Sequence, residues 1–213
     1  MLVKKIMVKN PVFISPETTV NEVRALMEKE KFGHVPVLDK NNVLVGIVTR
    51  DDLTKAEPSA ATTLDQYEIS YLLSKMTVKD IMVKNVITVQ ENEVVEVAAR
   101  TMADRDIGCL PVMRGKLLVG IITDTDLFHV FVNAFGARHE GVRIVGIFSE
   151  KPGQLAKLCQ AIAESGGNIV SLVTSEGDDL SCRRITMKID SLSREKLEAI
   201  IKEIPDLELE DIR

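Results

Sequence analysis

Aromatic residues are scarce in this sequence. Tryptophan is absent, and aromatic residues make up only 4% of the 213 residues. Proteins that hold single-stranded nucleic acid stack its bases on aromatic side chains, and few are available here. The 27 basic and 32 acidic residues give a formal charge of −5, so the chain has no general attraction to phosphate backbones. Composition therefore argues against nucleic acid as a partner.

Long apolar runs and clustered cysteines or histidines are also missing. No stretch approaches the roughly 20 apolar residues that a membrane span needs, and residues 1–10 lack the apolar core of a secretory signal. The cysteines are odd in number and dispersed, which fits a reducing compartment: Cys109, Cys159 and Cys182. The histidines show no metal-ligand spacing: His34, His129 and His139. We expect a cytoplasmic protein with no membrane partner and no metal site.

What the sequence does contain is an internal repeat. Residues 3–10 recur as residues 78–85, with seven of eight positions identical. Residues 33–37 correspond to 108–112, and residues 45–53 to 119–127. Matched blocks in the same order indicate two copies of one structural unit.

Each copy has the pattern of a β-α-β-β-α unit. A short strand at residues 12–14 or 86–89 precedes a helix at residues 20–31 or 94–105, and two strands and a second helix follow. About 50 residues cannot cover both faces of a sheet, so the two copies should pack together. We predict a first repeat at 1–57, a linker and connecting helix at 58–75, a second repeat at 76–135 and another domain at 136–213.

A Thr-x-x-Asp element follows the last strand of each repeat, as Thr49 with Asp52 and as Thr123 with Asp126. Threonine before a helix with an acidic residue three positions on is an ordinary helix cap. The same pair also suits a mononucleotide. A helix start and a hydroxyl favour phosphate, and the carboxylate can accept hydrogen bonds from ribose hydroxyls. The two interpretations are compatible.

The repeated blocks, their order and the two Thr-x-x-Asp elements resemble a pair of CBS domains (cystathionine-β-synthase domains) over roughly residues 1–135. The resemblance implies two clefts for adenine nucleotides, each combining the Thr-x-x-Asp element of one repeat with early and Pro-Val segments of the other. The first cleft would be formed by Thr49, Arg50, Asp52, Lys84, Val86 and Leu110. The second would be formed by Thr123, Asp126, Val12, His34 and Val35.

Two positions distinguish the implied clefts. Arg50 lies between Thr49 and Asp52, whereas Asp124 occupies the equivalent position in the second repeat. This difference predicts that the first cleft prefers more phosphorylated ligands. His34 is either a phosphate contact that titrates near neutral pH or a half-buried strand residue with a satisfied hydrogen bond.

After residue 135 the pattern becomes strand, helix, strand, strand, helix, strand. The strands are predicted at residues 142–148, 168–175, 181–190 and 207–212, and the helices at 154–165 and 193–203. A turn is predicted at 176–179. This order is a ferredoxin-like βαββαβ layout. The whole chain is therefore expected to be a mixed α+β and α/β protein.

The residues around the first helix of this segment, from Ser149 to Leu155 and from Gly167 to Ile169, resemble an ACT domain. The resemblance implies a homodimer and an amino-acid site at a set of loop residues: Lys151, Pro152, Gly153, Asn168 and Ile169. Proline and glycine before a helix are equally typical of an ordinary helix start. Two CBS repeats followed by an ACT domain also resemble the layout of acetoin-utilisation accessory proteins.

No nucleophile elbow, P-loop or other catalytic motif is present. We therefore expect a regulatory protein, not an enzyme, that needs no cofactor and binds AMP, ADP, ATP or S-adenosylmethionine as a signal. An amino acid and a regulated protein partner are further expected partners. The alternative is a structural dimerisation module whose clefts stay empty.

Overall fold

The computed structural model describes residues 1–56, 65–177 and 181–213. The chain divides into two compact units, Met1–Leu127 and Phe128–Arg213. This division falls within one helix, Asp124–Ala134, and the boundary expected after residue 135 stays a prediction.

The first repeat contains a short 3-10 helix at Val3–Lys5 and five further elements: β1 (Val8–Lys9), α1 (Val20–Glu30), β2 (His34–Leu38), β3 (Leu44–Thr49) and α2 (Arg50–Lys55). Helix α1 begins at a complete capping box, in which Thr19 and Glu22 exchange hydrogen bonds. It ends at Lys31 in the left-handed conformation, with φ 58°. Its apolar face carries Val20, Val23 and Met27 into the core, as their spacing predicts.

The second repeat follows with α3 (Gln66–Lys75), α4 (Val78–Ile81), β4 (Val89–Gln90), α5 (Val95–Arg105), β5 (Cys109–Arg114), β6 (Leu117–Thr123) and α6 (Asp124–Ala134). Helix α3 corresponds to the predicted connecting helix, whereas the predicted linker at 58–63 lies outside the described residues. The predicted strand at 12–14 was wrong: only Ile14 pairs, through an isolated bridge to Val37. Pro11 has no N–H to donate, and Val12 is 46% exposed.

The two repeats exchange their first segments. Strand β1 pairs antiparallel with β6 of the second repeat, and Val83 forms the equivalent bridge to Ile47 in β3. Val3 is accordingly buried in the core of the second repeat, and Val78 in that of the first. Each repeat is therefore completed by its neighbour, which confirms a paired pseudo-symmetric fold.

The second unit contains β7 (Val142–Ser149), α7 (Gln154–Glu164), β8 (Asn168–Glu176), β9 (Cys182–Asp190), α8 (Arg194–Glu203) and β10 (Leu207–Ile212). These strands form an antiparallel sheet in the order β10-β7-β9-β8. Its core combines sheet residues such as Ile144 and Met187 with helix residues such as Leu158 and Leu197. This is the predicted ferredoxin-like layout. The predicted turn at 176–179 lies partly outside the described residues.

Candidate functional site

A cavity of about 600 Å³ lies within the first unit. Its volume falls within the range of small-molecule sites. Both repeats contribute to its wall. The first supplies the end of β3 and the start of α2, and the second supplies residues 85–87 and the start of β5.

The polar side of the cavity is built around Thr49 and Asp52. The backbone N–H and the hydroxyl of Thr49 both donate to Asp52 Oδ2, each at 2.8 Å, and the Asp52 N–H donates back to Thr49 Oγ1 at 3.2 Å. Asp52 Oδ1 accepts no hydrogen bond from the described part of the chain. One carboxylate oxygen is thus committed to the cap of α2, and the other remains available to a ligand.

The second Thr-x-x-Asp element forms the same cap. Thr123 donates to Asp126 Oδ2 from its N–H and its hydroxyl, each at 2.8 Å. Neither residue lines the cavity. The capping interpretation therefore holds for both elements, and only Thr49 and Asp52 also face this cavity.

The apolar side of the cavity is a small cluster in which Ile47 and Cys109 are buried and Val86 packs against them. Ile107 and Pro111 extend it. Burial, assisted by the nearby Asp124 carboxylate, raises the pKa of the Cys109 thiol to about 12. The thiol is therefore uncharged at neutral pH and contributes an apolar surface on which a flat ring can lie.

His34 also lines this cavity, at the start of β2 and opposite Thr49 in the β2–β3 ladder. Burial lowers the pKa of His34 below its usual value, and Arg50 adds to the lowering. The carboxylates of Asp124, Asp51 and Asp52 oppose it. The imidazole is consequently neutral at pH 7 while the cavity holds no additional charge.

Five of the predicted site residues line the cavity: Thr49, Arg50, Asp52, Val86 and His34. His34 was assigned to the second cleft with Thr123, but the structure places it in the same cavity as Thr49. The other predicted residues lie outside this wall: Lys84, Leu110, Val12, Val35, Thr123 and Asp126.

Packing explains these exclusions. Leu110 and Val35 are fully buried, in the cores of the second and the first repeat respectively. Cys109 and Pro111, on either side of Leu110, line the cavity instead because neighbouring strand residues face opposite ways. Lys84 and Val12 have exposed side chains.

Sequence reasoning missed several wall residues, among them Lys55, Asn85, Asp106 and Gly108. Asn85 ends the repeated block of residues 78–85, and Gly108 begins the Gly-x-x-Pro block, so the repeat itself marked both. Asp106 follows α5 in the left-handed conformation, with φ 51°. Its place on the wall depends on how α5 ends, which the sequence pattern does not specify.

The residues of the predicted amino-acid site are divided between the two ends of the second sheet. Residues 151–153 follow β7, whose last residue, Ser149, pairs with Cys182 at the start of β9. Asn168 pairs with Asp190, at the other end of β9. Cys182 and Asp190 are eight residues apart along β9, or roughly 25 Å at the rise of a strand. Lys151 forms an ion pair with Asp206 at 3.3 Å. A single copy of the chain does not bring these residues together.

Comparison with protein families identifies the class. A model of the CBS domain matches residues 3–59 and 78–133, which together exceed half of the chain. The chain therefore belongs to the CBS domain family, as a tandem pair. The matched residues end at 133, and the ferredoxin-like character of the second unit follows from its strand order instead.

Solved structures of similar fold cover the pair. The CBS domain pair of protein MJ0100, solved in complex with 5′-methylthioadenosine and S-adenosyl-L-methionine, is 30% identical with a TM-score of 0.53. That match covers 65% of this chain and 98% of that one. The AcuB protein from Vibrio cholerae, named for acetoin utilization, is 31% identical with a TM-score of 0.53 over 66% of this chain and 98% of its own. CBSX2, solved in complex with AMP, is 28% identical with a TM-score of 0.50 over 62% of this chain and 96% of its own.

Curated relatives include whole enzymes. L-aspartate semialdehyde sulfurtransferase of Methanocaldococcus jannaschii is 33% identical over 61% of this chain, and inosine-5′-monophosphate dehydrogenase of Korarchaeum cryptofilum is 33% identical over 64%. The chain spans only 23% and 26% of these two proteins.

Across the described residues, no helix combines the length and the apolar character required to span a bilayer.

Proposed function

We propose that this chain is a regulatory protein that binds an adenosine compound in the cavity of its CBS pair and acts by binding, without catalysis. The observation that carries the proposal is the wall of the cavity. Asp52, with one carboxylate oxygen uncommitted, lines the same cavity as the apolar cluster of Ile47, Val86 and Cys109. A carboxylate can accept hydrogen bonds from both ribose hydroxyls, and an apolar cluster suits adenine.

The similar structures support this choice of ligand class, because they hold AMP, S-adenosylmethionine or 5′-methylthioadenosine. Helix α2 has only six residues, and its Asp52 N–H is already bonded to Thr49. We therefore propose that charged side chains, chiefly Arg50 and Lys55, bind a phosphate in this cavity.

Asp52→Ala tests the proposal by calorimetry against AMP, ADP, ATP and S-adenosylmethionine. Loss of ribose hydrogen bonds to a charged acceptor should weaken binding by about 1.5–3 kcal/mol. Asp126→Ala is the matched control, because it removes an identical cap that does not line the cavity. Equal affinities of both variants and the parent protein would reject Asp52 as a ligand contact.

A separate assay tests for catalysis. Sustained hydrolysis of a nucleotide by the parent protein, abolished by a substitution in the cavity, would reject a purely regulatory role.

A structural dimerisation module is the second candidate, and a specific observation favours it. Both Thr-x-x-Asp caps are complete without any ligand. If none of these adenosine compounds binds at millimolar concentration, the Thr-x-x-Asp elements serve only to cap helices.

For the second unit we propose an ACT-like role in dimerisation and amino-acid binding. Within the described parts of the chain, strand β8 pairs with β9 alone and so forms one edge of the sheet. If the β8 strands of two copies pair antiparallel, Asn168 and Ile169 of one copy lie next to residues 151–153 of the other copy, because those residues are at the opposite end of the sheet. The two halves of the proposed site then meet between copies. Calorimetry against a panel of amino acids, with Asn168→Ala as the variant, tests this site.

We propose that the regulated partner is a protein of acetoin utilisation. The similarity to AcuB from Vibrio cholerae supports this choice. Deleting the encoding gene and measuring growth on acetoin as carbon source would test it.

A further inference from the structure

The charges around the cavity are nearly balanced. Its wall carries two permanent cations, Arg50 and Lys55, and three carboxylates, Asp51, Asp52 and Asp106. The described wall therefore has a formal charge of −1 while His34 is neutral, and of zero when His34 is protonated. A phosphate group adds up to two negative charges to this enclosed space. Protonation of His34 thus shifts this balance by one positive charge, and Asp124, beside the wall residue Gly108, adds a further negative charge.

His34 lies where the two repeats meet. A Cβ on Gly108 would lie 3.4 Å from His34 Nε2 and 3.3 Å from Asp124 Oδ2, so both groups border one glycine of the second repeat. The equivalent glycine of the first repeat, Gly33, borders Arg50. The arginine that a phosphate would use and the histidine that could join it both line this wall, and each borders one of the two equivalent glycines.

The charged groups facing His34 come from several elements. Arg50, Asp51, Asp52 and Lys55 belong to α2, Asp124 starts α6, and Asp106 follows α5. Burial is the main reason why the pKa of His34 is lowered, and Asp124 is the strongest opposing influence. A negative phosphate in the cavity would act in the same direction as Asp124 and favour the imidazolium.

Resting on the proposed function, we infer that His34 sets the charge preference of the cavity. A phosphate-bearing adenosine ligand binds together with one proton, which the His34 imidazole takes from solvent. An adenosine ligand without phosphate binds with no proton uptake. The preference for AMP over 5′-methylthioadenosine therefore increases as pH falls from 8 to 6.

The direction follows from linkage. A group whose pKa is raised by a ligand binds that ligand more tightly in its protonated form, so affinity rises as pH falls towards the pKa of the complex. Each unit by which phosphate raises the pKa of His34 corresponds to as much as a tenfold gain in affinity. A roughly three- to tenfold rise in AMP affinity relative to 5′-methylthioadenosine is expected across this pH range.

Calorimetry on the full chain at pH 6 and pH 8 tests the inference with AMP and 5′-methylthioadenosine. His34→Gln should retain AMP binding but lose the histidine-dependent part of the pH response. Because AMP itself titrates near pH 6, the comparison is between the variant and the parent protein with the same ligand. His129→Gln is the control, since His129 is exposed and outside the cavity wall.

A second measurement uses the same two proteins. AMP titrations in buffers of different ionisation enthalpy report the protons taken up per AMP bound by the parent protein and by His34→Gln. Greater uptake at pH 7 by the parent protein than by His34→Gln supports the inference. AMP binding with the same pH response in His34→Gln and the parent protein would overturn it and leave the proposed function intact. Failure of both ligands to bind at either pH would reject the proposed function itself.

Discussion

Asp52 and Asp126 show how little of a binding site is contained in a local motif. Both cap a helix through Oδ2, and in both the two Thr donors lie at 2.8 Å. Only Asp52 lines the cavity, together with Val86 and Cys109 of the second repeat. The motif therefore determines the helix start, but it does not determine whether its residues line a cavity.

Gly46 and Gly120 occupy equivalent positions, yet they should differ in their tolerance of a methyl group. The three atoms nearest to a Cβ on Gly46 all belong to the Met82 side chain, with Sδ nearest. A Cβ on Gly120 would meet Met7 and also the Val8 carbonyl oxygen at 2.9 Å. Since backbone cannot rotate away, Gly120→Ala should cost about 2–3 kcal/mol and Gly46→Ala about 1 kcal/mol. Urea unfolding followed by circular dichroism measures both, and equal losses would show that the β1 backbone yields.

Residues of β5 illustrate the limit of prediction from sequence at this scale. The repeat marked the Gly-x-x-Pro block as part of the site, and the block does line the cavity. Leu110, in contrast, is buried in the core of the second repeat and does not line this cavity. Five consecutive residues of β5 are buried, so no polar alternation reveals which face meets the cavity and which meets the core.

At the scale of elements, helix starts with a chemical signal were predicted well. Thr19 and Glu22 form the capping box of α1, and Ser193 caps α8. Helix α5 begins one residue after the predicted start at 94, and its start has no side-chain cap among the described residues. Val95, Ala98 and Met102 form its buried face, whereas Val94, where the helix was predicted to begin, is 38% exposed. Apolar spacing alone leaves the phase of such a helix uncertain by a residue.

The exchange of first segments was not predictable from the repeats. Residues 3–10 and 78–85 are nearly identical, so either copy could have packed in either repeat. The structure buries Val3 and Val78 completely, each with the opposite repeat.

Val3→Ala and Val78→Ala should therefore destabilise the protein equally, by about 2 kcal/mol each, through lost burial and the cavity left behind. Urea unfolding of the two variants measures this, and Val8→Ala is the control because Val8 is 53% exposed. If Val3→Ala leaves the free energy of unfolding unchanged, the first segment does not complete the second repeat. Residues near a chain end that are not packed in a core tolerate such a substitution.

At the scale of the whole molecule, the two units follow different rules of construction. The first unit depends on two copies that share segments, so neither repeat holds a complete core of its own. The second unit closes its core with one contiguous stretch of chain, from β7 to β10. Its strand order followed from the alternation of strands and helices alone, because a split βαβ layout allows few arrangements.

Strand β8 lies at one edge of the sheet of the second unit. Strand β8 has nine residues, of which Ile169, Val170, Leu172 and Val173 are apolar, and it pairs on one side only. Long apolar edges of this kind are pairing surfaces, and native proteins that stay apart protect them with charge. This edge supports the proposed homodimer.

Val173→Lys places a charge on this edge and should convert the dimer to a monomer at micromolar concentration, as measured by light scattering. Glu208→Lys is the control, because it places lysine on β10, the opposite edge of the same sheet. An unchanged far-ultraviolet circular dichroism spectrum would show that the variant still folds. If the parent protein is a monomer, no dimer forms through either edge. If Glu208→Lys alone dissociates the dimer, the copies pair through β10, and residues 151–153 and Asn168 then do not meet between copies.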